Sequence, residues 1–287
     1  MADIFKLADY LGDLEIIGAK GFPRGPHPGW TSVEPLYRPH LGYMTTVTGI
    51  PGHGKSEWLD CMLINIAWRY GLKFVYFSPE NFPVALHAVK LIEKVAGLPF
   101  KEQTKAGWRE AATWLDEHFT FLYPSEEECT LPDILRLVAQ VGDTYGAHGF
   151  VIDPWNEIDH KRPEGMSETE YISQSLTRVR RFAREKMMHA WIVAHPMKLQ
   201  KNKDSKSYDP PTPYDISGSA HWRNKSDFCI TCHRHDMSKD EMTVYVNKVK
   251  FKHFGKIGKT EMDYDCKAGR LKDKEESIYR LPEKVKR

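Results

Sequence analysis

The sequence MTTVTGIPGHGKS occupies residues 44–56, and its last eight residues, Gly49 to Ser56, fit the pattern G-x-x-x-x-G-K-[ST]. Glycines in this pattern let backbone N–H groups turn inward around phosphate oxygens, and the following helix points its positive end at them. Lys55 would pair with the β- and γ-phosphate oxygens, and the Ser56 hydroxyl would hold Mg²⁺. The stretch therefore predicts a site for ATP, or another nucleoside triphosphate, with Mg²⁺. The residues assigned to this site are Gly49, Pro51, Gly52, His53, Gly54, Lys55, Ser56 and Glu57.

Short apolar strands alternate with longer amphipathic helices along the chain. Strands are predicted at 44–49, 73–78, 119–124, 149–154 and 191–196, and helices at 57–70, 83–96, 131–141 and 168–188. This alternation is typical of an α/β fold with a mostly parallel, twisted sheet and helices on both faces. Three more strand-like segments, at 227–231, 242–249 and 260–265, predict a β-rich C-terminal edge.

The chain divides into three parts by composition. Residues 1–40 hold one short amphipathic helix, predicted at residues 3–12, and a Gly/Pro-rich stretch, GFPRGPHPGW, which predicts a linker. The strand–helix alternation and the β-rich edge predict one domain over residues 41–270. Residues 271–287 are charged with little pattern and are expected to form a tail.

Three polar residues follow predicted strands, at the sheet edge where ligands of open α/β folds bind. Asp153 ends the strand GFVID and suits the Mg²⁺-water role of a Walker B aspartate. Glu80, just after FVYFS, could orient and deprotonate an attacking water. His195, after WIVA, could sense the γ-phosphate. Taken singly, these residues could also be a turn cap, a helix N-terminal charge and a satisfied core histidine.

Charge is unevenly distributed along the 287 residues. The total of 41 Lys+Arg against 39 Asp+Glu gives +2, which argues against a nucleic-acid coat protein or a membrane-surface protein. Residues 196–260, however, contain 13 Lys/Arg and 7 Asp/Glu, a local excess of +6. This segment is a candidate polyanion-binding surface, and a solvated face with a chance imbalance is the alternative.

The remaining composition predicts a globular protein of the cytoplasm. No apolar run is long enough to span a membrane, and the N-terminus lacks the pattern of a secretory signal or a transit peptide. Five cysteines form no regular disulfide framework, as in a reducing compartment. The spacing Cys229-x-x-Cys232 could suggest zinc, but on a strand these side chains point to opposite faces, which favours a core strand.

Several blocks, in this order, resemble the RecA-like helicase domain of the DnaB/Twinkle superfamily, a P-loop NTPase fold. The resemblance is strongest to Twinkle and to the helicase half of phage primase–helicases. The block from Gly29 to Asp60 resembles the family's entry into its Walker A motif. FSPEN (77–81), FVIDPWNE (150–157) and VAHPMK (193–198) resemble the motifs that supply the catalytic glutamate, the Walker B aspartate and a histidine. ISGSAHWRNKSD (216–227) and KVKFKHFGKIG (248–258) resemble its channel motif and its trans-acting basic segment.

The resemblance implies a hexameric ring that hydrolyses ATP at subunit interfaces and translocates 5′→3′ on single-stranded DNA. It implies trans-acting roles for Lys248 and Lys250, although the family's finger is usually arginine in a K-x-R pattern. It places the basic segment toward a DNA channel, with His160, Lys161 and Arg162 as a second candidate loop. The N-terminal helix could dock on a neighbouring subunit or cover its own core. The DNA-binding candidates are Lys198, Lys201, Lys203, Lys206, Ser217, Gly218 and Arg223.

Two other functions remain compatible with these residues. A RecA/RadA-type recombinase or KaiC-like ATPase would share the glycine loop, Glu80 and Asp153 without unwinding DNA. A non-catalytic assembly factor would use ATP only as a structural ligand. Primase or polymerase would be further partners of a helicase, and no membrane partner is expected. The primase half of the phage relatives lacks a counterpart here, so the chain is expected to act as a helicase alone or within a longer protein.

Overall fold

The computed structural model describes residues 5–124, 129–201, 208–218, 220–274, 281 and 284. Within these residues the fold is α/β, with one nine-stranded sheet. The strands are β1 Met44–Thr48, β2 Phe74–Phe77, β3 Phe119–Leu122, β4 Gly149–Ile152, β5 His189–Val193, β6 Phe228–His233, β7 Glu241–Val249, β8 Gly258–Asp265 and β9 Arg270–Asp273. The helices are α1 Leu11–Lys20, α2 Lys55–Tyr70, α3 Val84–Ala96, α4 Lys105–His118, α5 Leu131–Tyr145, α6 Glu168–Glu185 and α7 His221–Lys225.

The strands are arranged in the order β3-β2-β4-β5-β1-β6-β7-β8-β9. Every pairing from β3 to β6 is parallel, and those from β6 to β9 are antiparallel. The predicted fold class, a mostly parallel sheet with a β-rich C-terminal edge, is therefore confirmed. The loops after β1, β2, β4 and β5 all leave the carboxyl edge of the parallel strands, which brings their residues together.

Helices cover both faces of the sheet because successive strand residues point to opposite sides. In β5, Trp191 and Val193 belong to one apolar cluster, which includes side chains of α2, α3 and α4. Ala190 and Ile192 belong to a second cluster, built with α5 and α6. The central parallel strands β1, β2, β4 and β5 are buried along their whole length, including the three threonines of β1 and His189 of β5.

The sheet domain draws on residues beyond both of its predicted boundaries. Trp30 and Tyr37, from the predicted linker, are buried in the first apolar cluster. The Trp30 indole N–H donates to the backbone oxygen of Leu271, 2.9 Å away. The Asp273 carboxylate accepts from the backbone N–H of Thr31 at 2.8 Å. Strand β9 thus crosses the predicted boundary at residue 270 and helps to hold the segment that precedes β1.

Two further sequence expectations can be compared with the fold. Cys229 and Cys232 lie on β6, both buried and both free, as expected for a core strand. In the part of the chain that the structure describes, no group of three or more His, Cys, Asp or Glu side chains could hold a metal by itself. Among the same residues, no helix combines the length and the apolar character needed to cross a membrane.

Candidate nucleotide site

The loop between β1 and α2 approaches neighbouring backbone too closely for any residue other than glycine at its start. A Cβ on Gly49 would lie 2.3 Å from the backbone oxygen of Cys232, and Gly49 has φ +151°. Gly54, immediately before α2, has left-handed φ and ψ of 84° and 21°. This conformation ends the loop, and α2 begins at Lys55. The first N–H groups of a helix have no partner within it, which suits them to bind phosphate oxygens.

The Lys55 side chain folds back into the loop. Its Nζ donates to the backbone oxygens of Gly49 and Ile50, at 2.9 and 3.2 Å. Burial lowers the pKa of Lys55, while Asp153 partly counteracts that effect. An incoming phosphate would offer the ammonium stronger, charge-assisted acceptors than these carbonyl groups. The geometry therefore fits a lysine that exchanges loop carbonyls for phosphate oxygens.

The carboxyl edge of the sheet gathers the predicted site residues around one cavity of about 550 Å³. Contributions come from the glycine loop after β1 and from the segments after β2, β4 and β5. The lining residues are Pro51, Gly52, Gly54, Lys55, Ser56, Glu57, Glu80, Asn81, Lys90, Asp153 and His195. Four strands thus deliver Lys55, Glu80, Asp153 and His195 to one place.

Asp153 and Ser56 form the donor set expected for Mg²⁺. The Asp153 carboxyl is fully buried and accepts a hydrogen bond from the Ser56 side chain. Burial raises the pKa of Asp153 to about 6, although the Ser56 hydrogen bond opposes that rise. Mg²⁺ typically takes one or two protein oxygens and completes its shell with phosphate oxygens and water. One hydroxyl and one carboxylate at the edge of the nucleotide cavity fit such an ion, which would shield phosphate charge when bound.

Glu80 and His195 are neighbours in the wall of the cavity. His195 Nε2 lies 3.8 Å from Glu80 Oε1, and 53% of the Glu80 side chain is exposed. Burial lowers the pKa of His195, and the nearby Lys55 lowers it further. The imidazole is therefore neutral at neutral pH, and it can donate or accept a hydrogen bond beside the glutamate.

Two residues of the predicted nucleotide cradle make protein contacts that sequence reasoning did not anticipate. Glu57 lines the cavity but is paired with the buried Lys94 of α3. Burial alone would lower the pKa of Lys94, but the Glu57 carboxylate beside it raises that pKa above its usual value. The His53 ring packs on His233, with centroids 4.8 Å apart, and His53 Nδ1 accepts from the backbone N–H of Arg234. His53 thus fastens the loop to the end of β6.

Sequence reasoning missed Asn81 and Lys90, which line the same cavity. A smaller recess of about 90 Å³ also adjoins Gly52 and Gly54, with Arg234, Met242 and Tyr264 in its wall. No local pattern identifies the recess, because the antiparallel strands bring together residues that are far apart in sequence.

Lys248 and Lys250 lie away from their own chain's cavity. In the register of β6 with β7, Lys248 lies beside Cys229, near the start of β6. This position is at the amino edge of the parallel strands, whereas the nucleotide loop is at their carboxyl edge. Lys248 Nζ donates to the backbone oxygen of Arg223 at 2.7 Å. Lys250 Nζ forms an ion pair of 3.0 Å with the buried Asp227. Any contact of these lysines with a nucleotide would therefore involve a neighbouring copy, as the sequence predicts.

The family of this chain can be identified from its similarity to known proteins. No protein-family model matches the chain. The chain is 37% identical to the Twinkle homolog protein, chloroplastic/mitochondrial, of Arabidopsis thaliana, over 94% of its own length. It contains a RecA-like domain of the DnaB/Twinkle superfamily. The alignment covers 40% of the Arabidopsis protein, so the chain spans about two fifths of that relative's length.

Solved structures share the fold of this DnaB/Twinkle-type domain. One of them, an ATPase domain solved by itself, superposes with a TM-score of 0.79 at 16% identity, covering 95% of this chain and all of that one. A DnaB-like replicative helicase, described with its interactions with primase, gives a TM-score of 0.75 at 15% identity. That match covers 95% of this chain and 68% of the other. At these identities the likeness establishes the RecA-like fold.

The DNA-binding candidates of this DnaB/Twinkle-type domain lie in two regions. Lys198 and Lys201 are exposed and precede residues 202–207, so Lys203 and Lys206 fall outside the described residues. The second region is next to His195, where Ser217 lines a separate cavity of about 440 Å³. The His160 and Arg162 side chains of the second candidate loop line that cavity too.

Gly218 and Arg223 are held beside this second region. The Gly218 backbone oxygen accepts from the Thr169 hydroxyl at 3.0 Å, and Arg223 lies over the Tyr214 ring. His195 therefore adjoins both the nucleotide cavity and the segments predicted to contact DNA.

Proposed function

We propose that this chain is the motor domain of an ATP-dependent DNA helicase that acts as a ring. The observation that carries the proposal is the convergence of Lys55, Glu80, Asp153 and His195 on one cavity behind a glycine loop. A phosphate-binding lysine, a Mg²⁺ ligand and a carboxylate facing the expected γ-phosphate are the parts that nucleoside-triphosphate hydrolysis requires.

Glu80 is the general base in this proposal. The oxygen of a water molecule bonds to the γ-phosphorus while the bond from that phosphorus to the bridging oxygen breaks. The Glu80 carboxylate takes a proton from the water, and ADP leaves with the bridging oxygen. Lys55 binds the β- and γ-phosphate oxygens, and His195 contacts the γ-phosphate beside Glu80. Asp153 and Ser56 hold Mg²⁺.

The choice of a helicase among P-loop ATPases rests on the relatives. The Arabidopsis relative is named a Twinkle homolog, and one structural neighbour is described as a replicative helicase. The basic segment 196–260 supports a nucleic-acid partner, since lysines near a channel can bind phosphates without reading sequence. We propose single-stranded DNA as the track and 5′→3′ as the direction of movement.

Ring assembly is supported by the opposite placement of the two halves of the site. The nucleotide cavity lies at the carboxyl edge of the sheet, and Lys248 and Lys250 lie at the amino edge. A single copy cannot bring Lys250 to its own cavity, whereas a head-to-tail ring brings it to the next copy's cavity. We propose a hexamer in which Lys250 serves as the trans-acting finger and Lys248 contacts the neighbour's nucleotide.

The N-terminal helix, which the structure places at Leu11–Lys20 and not at the predicted residues 3–12, supports the same assembly. Helix α1 and the turn before it bury none of their described residues, and Leu7 and Leu11 are 73% and 57% exposed. A groove of about 790 Å³ between α5 and α6 contains apolar and basic side chains. Its basic members are Arg136, Arg178, Arg181 and Lys225. Helix α1 carries Asp13 and Glu15 against Lys20, and the four basic residues of the groove outnumber its Glu185, so the net charges of the helix and of this groove on a neighbouring copy are complementary.

The test is ATP turnover with and without single-stranded DNA, at low salt and over a range of protein concentrations. Turnover that DNA stimulates, and that rises more steeply than linearly with protein concentration, is the expected result. Unwinding of a duplex that carries a single-stranded 5′ tail, but not of one that carries a single-stranded 3′ tail, would then establish the direction of movement. Turnover indifferent to DNA would support a KaiC-like ATPase instead. ATP binding without turnover would support a non-catalytic assembly factor.

Further partners and location are part of the proposal. Primase or polymerase would associate with the ring at a replication fork, and pull-down with the purified ring tests this. The Arabidopsis relative is named as chloroplastic/mitochondrial. For this chain we propose the cytoplasm, and cell fractionation with an antibody against the chain decides between these locations.

A further inference from the structure

Lys90 is a charged residue of the nucleotide cavity with no role in the hydrolysis outlined above. It lies on the second turn of α3 and is exposed, and its side chain lines the cavity together with Glu80 and Asn81. Its Nζ donates a hydrogen bond of 3.1 Å to Asn81 Oδ1. The cavity therefore contains a second cation, which α3 supplies instead of the glycine loop.

The partner of Lys90 belongs to the short turn that carries Glu80. This turn, Pro79–Asn81, is a single 3₁₀ turn after β2. Asn81 Nδ2 donates to the Ser78 hydroxyl at 2.7 Å. The Tyr123 hydroxyl lies 3.3 Å from the backbone oxygen of Ser78 and 3.4 Å from that of Asn81. Side chains from the end of β3 and from α3 thus hold the turn from two sides.

The position of the Glu80 carboxylate depends on this turn. Its side chain is half exposed, and the ion-pair contact it makes, with His195, is 3.8 Å long. A contact of that length constrains a carboxylate less than a direct hydrogen bond does. A general base has to lie within about 3 Å of the proton that it removes, so a small shift of the turn would matter.

We propose that Lys90 is a positioning residue for Glu80, acting through Asn81, and this inference rests on the proposed ATP hydrolysis. The Lys90–Asn81–Ser78 chain of hydrogen bonds fixes the turn from the α3 side. The ammonium group lines the same cavity as the Glu80 side chain, so this support lies next to the carboxylate that it positions. Lys90 does not touch the reacting atoms in this role.

The experiment compares Lys90→Met, which keeps most of the side-chain length, with Lys90→Arg, which keeps the charge and the donor. Steady-state ATP turnover gives kcat and KM, and a fluorescent ATP analogue gives nucleotide affinity. Misplacing a catalytic group by about 1 Å can cost about 10²-fold in rate. We expect Lys90→Met to lower kcat by about 10- to 100-fold with nucleotide affinity unchanged, and Lys90→Arg to recover most of that loss. The exposed Lys101→Met is the matched control and should match the wild type.

A double-variant cycle tests the route through Asn81. Asn81→Ala should lower kcat about as much as Lys90→Met, and the combined variant should lower it no further. Additive losses would overturn the route through Asn81. The proposal also fails if Lys90→Met turns over ATP like the wild type. It fails equally if this variant binds nucleotide more weakly at an unchanged kcat, because that result would make Lys90 a phosphate ligand. A Lys90→Arg variant as slow as Lys90→Met would assign the loss to packing and overturn it. Absence of turnover in the wild type refutes the proposed function itself and this inference with it.

Discussion

Acid should destabilise this protein through His189, a buried residue at the start of β5. Its ring belongs to a buried chain of hydrogen bonds between neutral groups. The Trp191 indole N–H donates to the Tyr37 hydroxyl at 3.0 Å, and that hydroxyl lies 2.8 Å from Thr45 Oγ1. Thr45 Oγ1 lies 2.8 Å from His189 Nε2, and His189 Nδ1 lies 2.7 Å from the backbone oxygen of His40 and 3.2 Å from its backbone nitrogen. Protonation would place a positive charge on this buried ring, which burial disfavours.

The size of the effect follows from the pKa. Burial lowers the pKa of His189 from 6.5 to about 4. The unfolded chain therefore binds more protons between these two values, and the free energy of unfolding falls as the pH falls through this window. Since one pKa unit corresponds to about 1.4 kcal/mol, the total loss is on the order of 3 kcal/mol, of which about 2 kcal/mol is lost by pH 5.

Urea unfolding at pH 7, 6 and 5 measures this loss. His53 and His233 also have pKa values lowered to about 4 by burial, so the contribution of His189 has to be isolated. His189→Gln keeps one acceptor and one donor but does not titrate. It should be less stable than the wild type at pH 7, and that difference should shrink by about 2 kcal/mol at pH 5. Parallel pH profiles for the wild type and His189→Gln would refute the reasoning.

Four substitutions test the proposed motor. Lys55→Ala should abolish ATP binding, because it removes the buried cation of the glycine loop, and wild-type affinity in a binding titration would contradict the site. Glu80→Gln should bind ATP normally but lose about 10²- to 10⁴-fold in turnover, the usual range for a general base, and normal turnover would remove Glu80 from that role. Lys201→Gln should reduce the slope of log affinity for single-stranded DNA against log salt by about 1, whereas an unchanged slope would assign the DNA surface elsewhere. Lys250→Ala mixed with Glu80→Gln should recover some turnover at one interface, and no recovery after demonstrated subunit exchange would contradict a trans role.

Most of the fold could be predicted because its strands and helices carry strong periodic signals. The buried parallel strands are short runs rich in apolar and β-branched residues, and several of the helices show apolar residues at helical spacing. Helix α4, Lys105–His118, was missed because only Ala111 and Leu115 are buried in it, which leaves a weak apolar stripe. Strand β9 was missed because its sequence RLKD is charged. Arg270 and Asp273 are nevertheless buried, since they bond to backbone groups of Lys94 and Thr31.

The candidate site, like the fold, has one part that the sequence could predict and one part that it could not. Residues at the ends of parallel strands could be predicted, since topology alone brings such ends to one edge of the sheet. Lys90 and the recess beside Tyr264 depend on how α3 and the antiparallel strands pack, and a single sequence does not encode that packing as a local pattern. The turning of His53 toward His233 depends on the same long-range packing.

The uneven burial of the site bears on assembly. Lys55 and Asp153 are buried, but 53% of the Glu80 side chain is open to solvent. Exclusion of water strengthens electrostatic interactions in an active site. In a single copy, water is therefore excluded from the residues that bind phosphate and Mg²⁺ but not from the carboxylate that removes the proton. A second copy that covered Glu80 would exclude water from its carboxylate. The same copy would bring its own Lys250, from the amino edge of its sheet, near the γ-phosphate. If one interface does both, turnover per chain should rise with protein concentration in the wild type. Lys250→Ala rings should form at the same concentrations and stay slow. Rings of this variant that turn over ATP at the wild-type rate would separate the two effects and leave exclusion of water as the sole contribution of the neighbour.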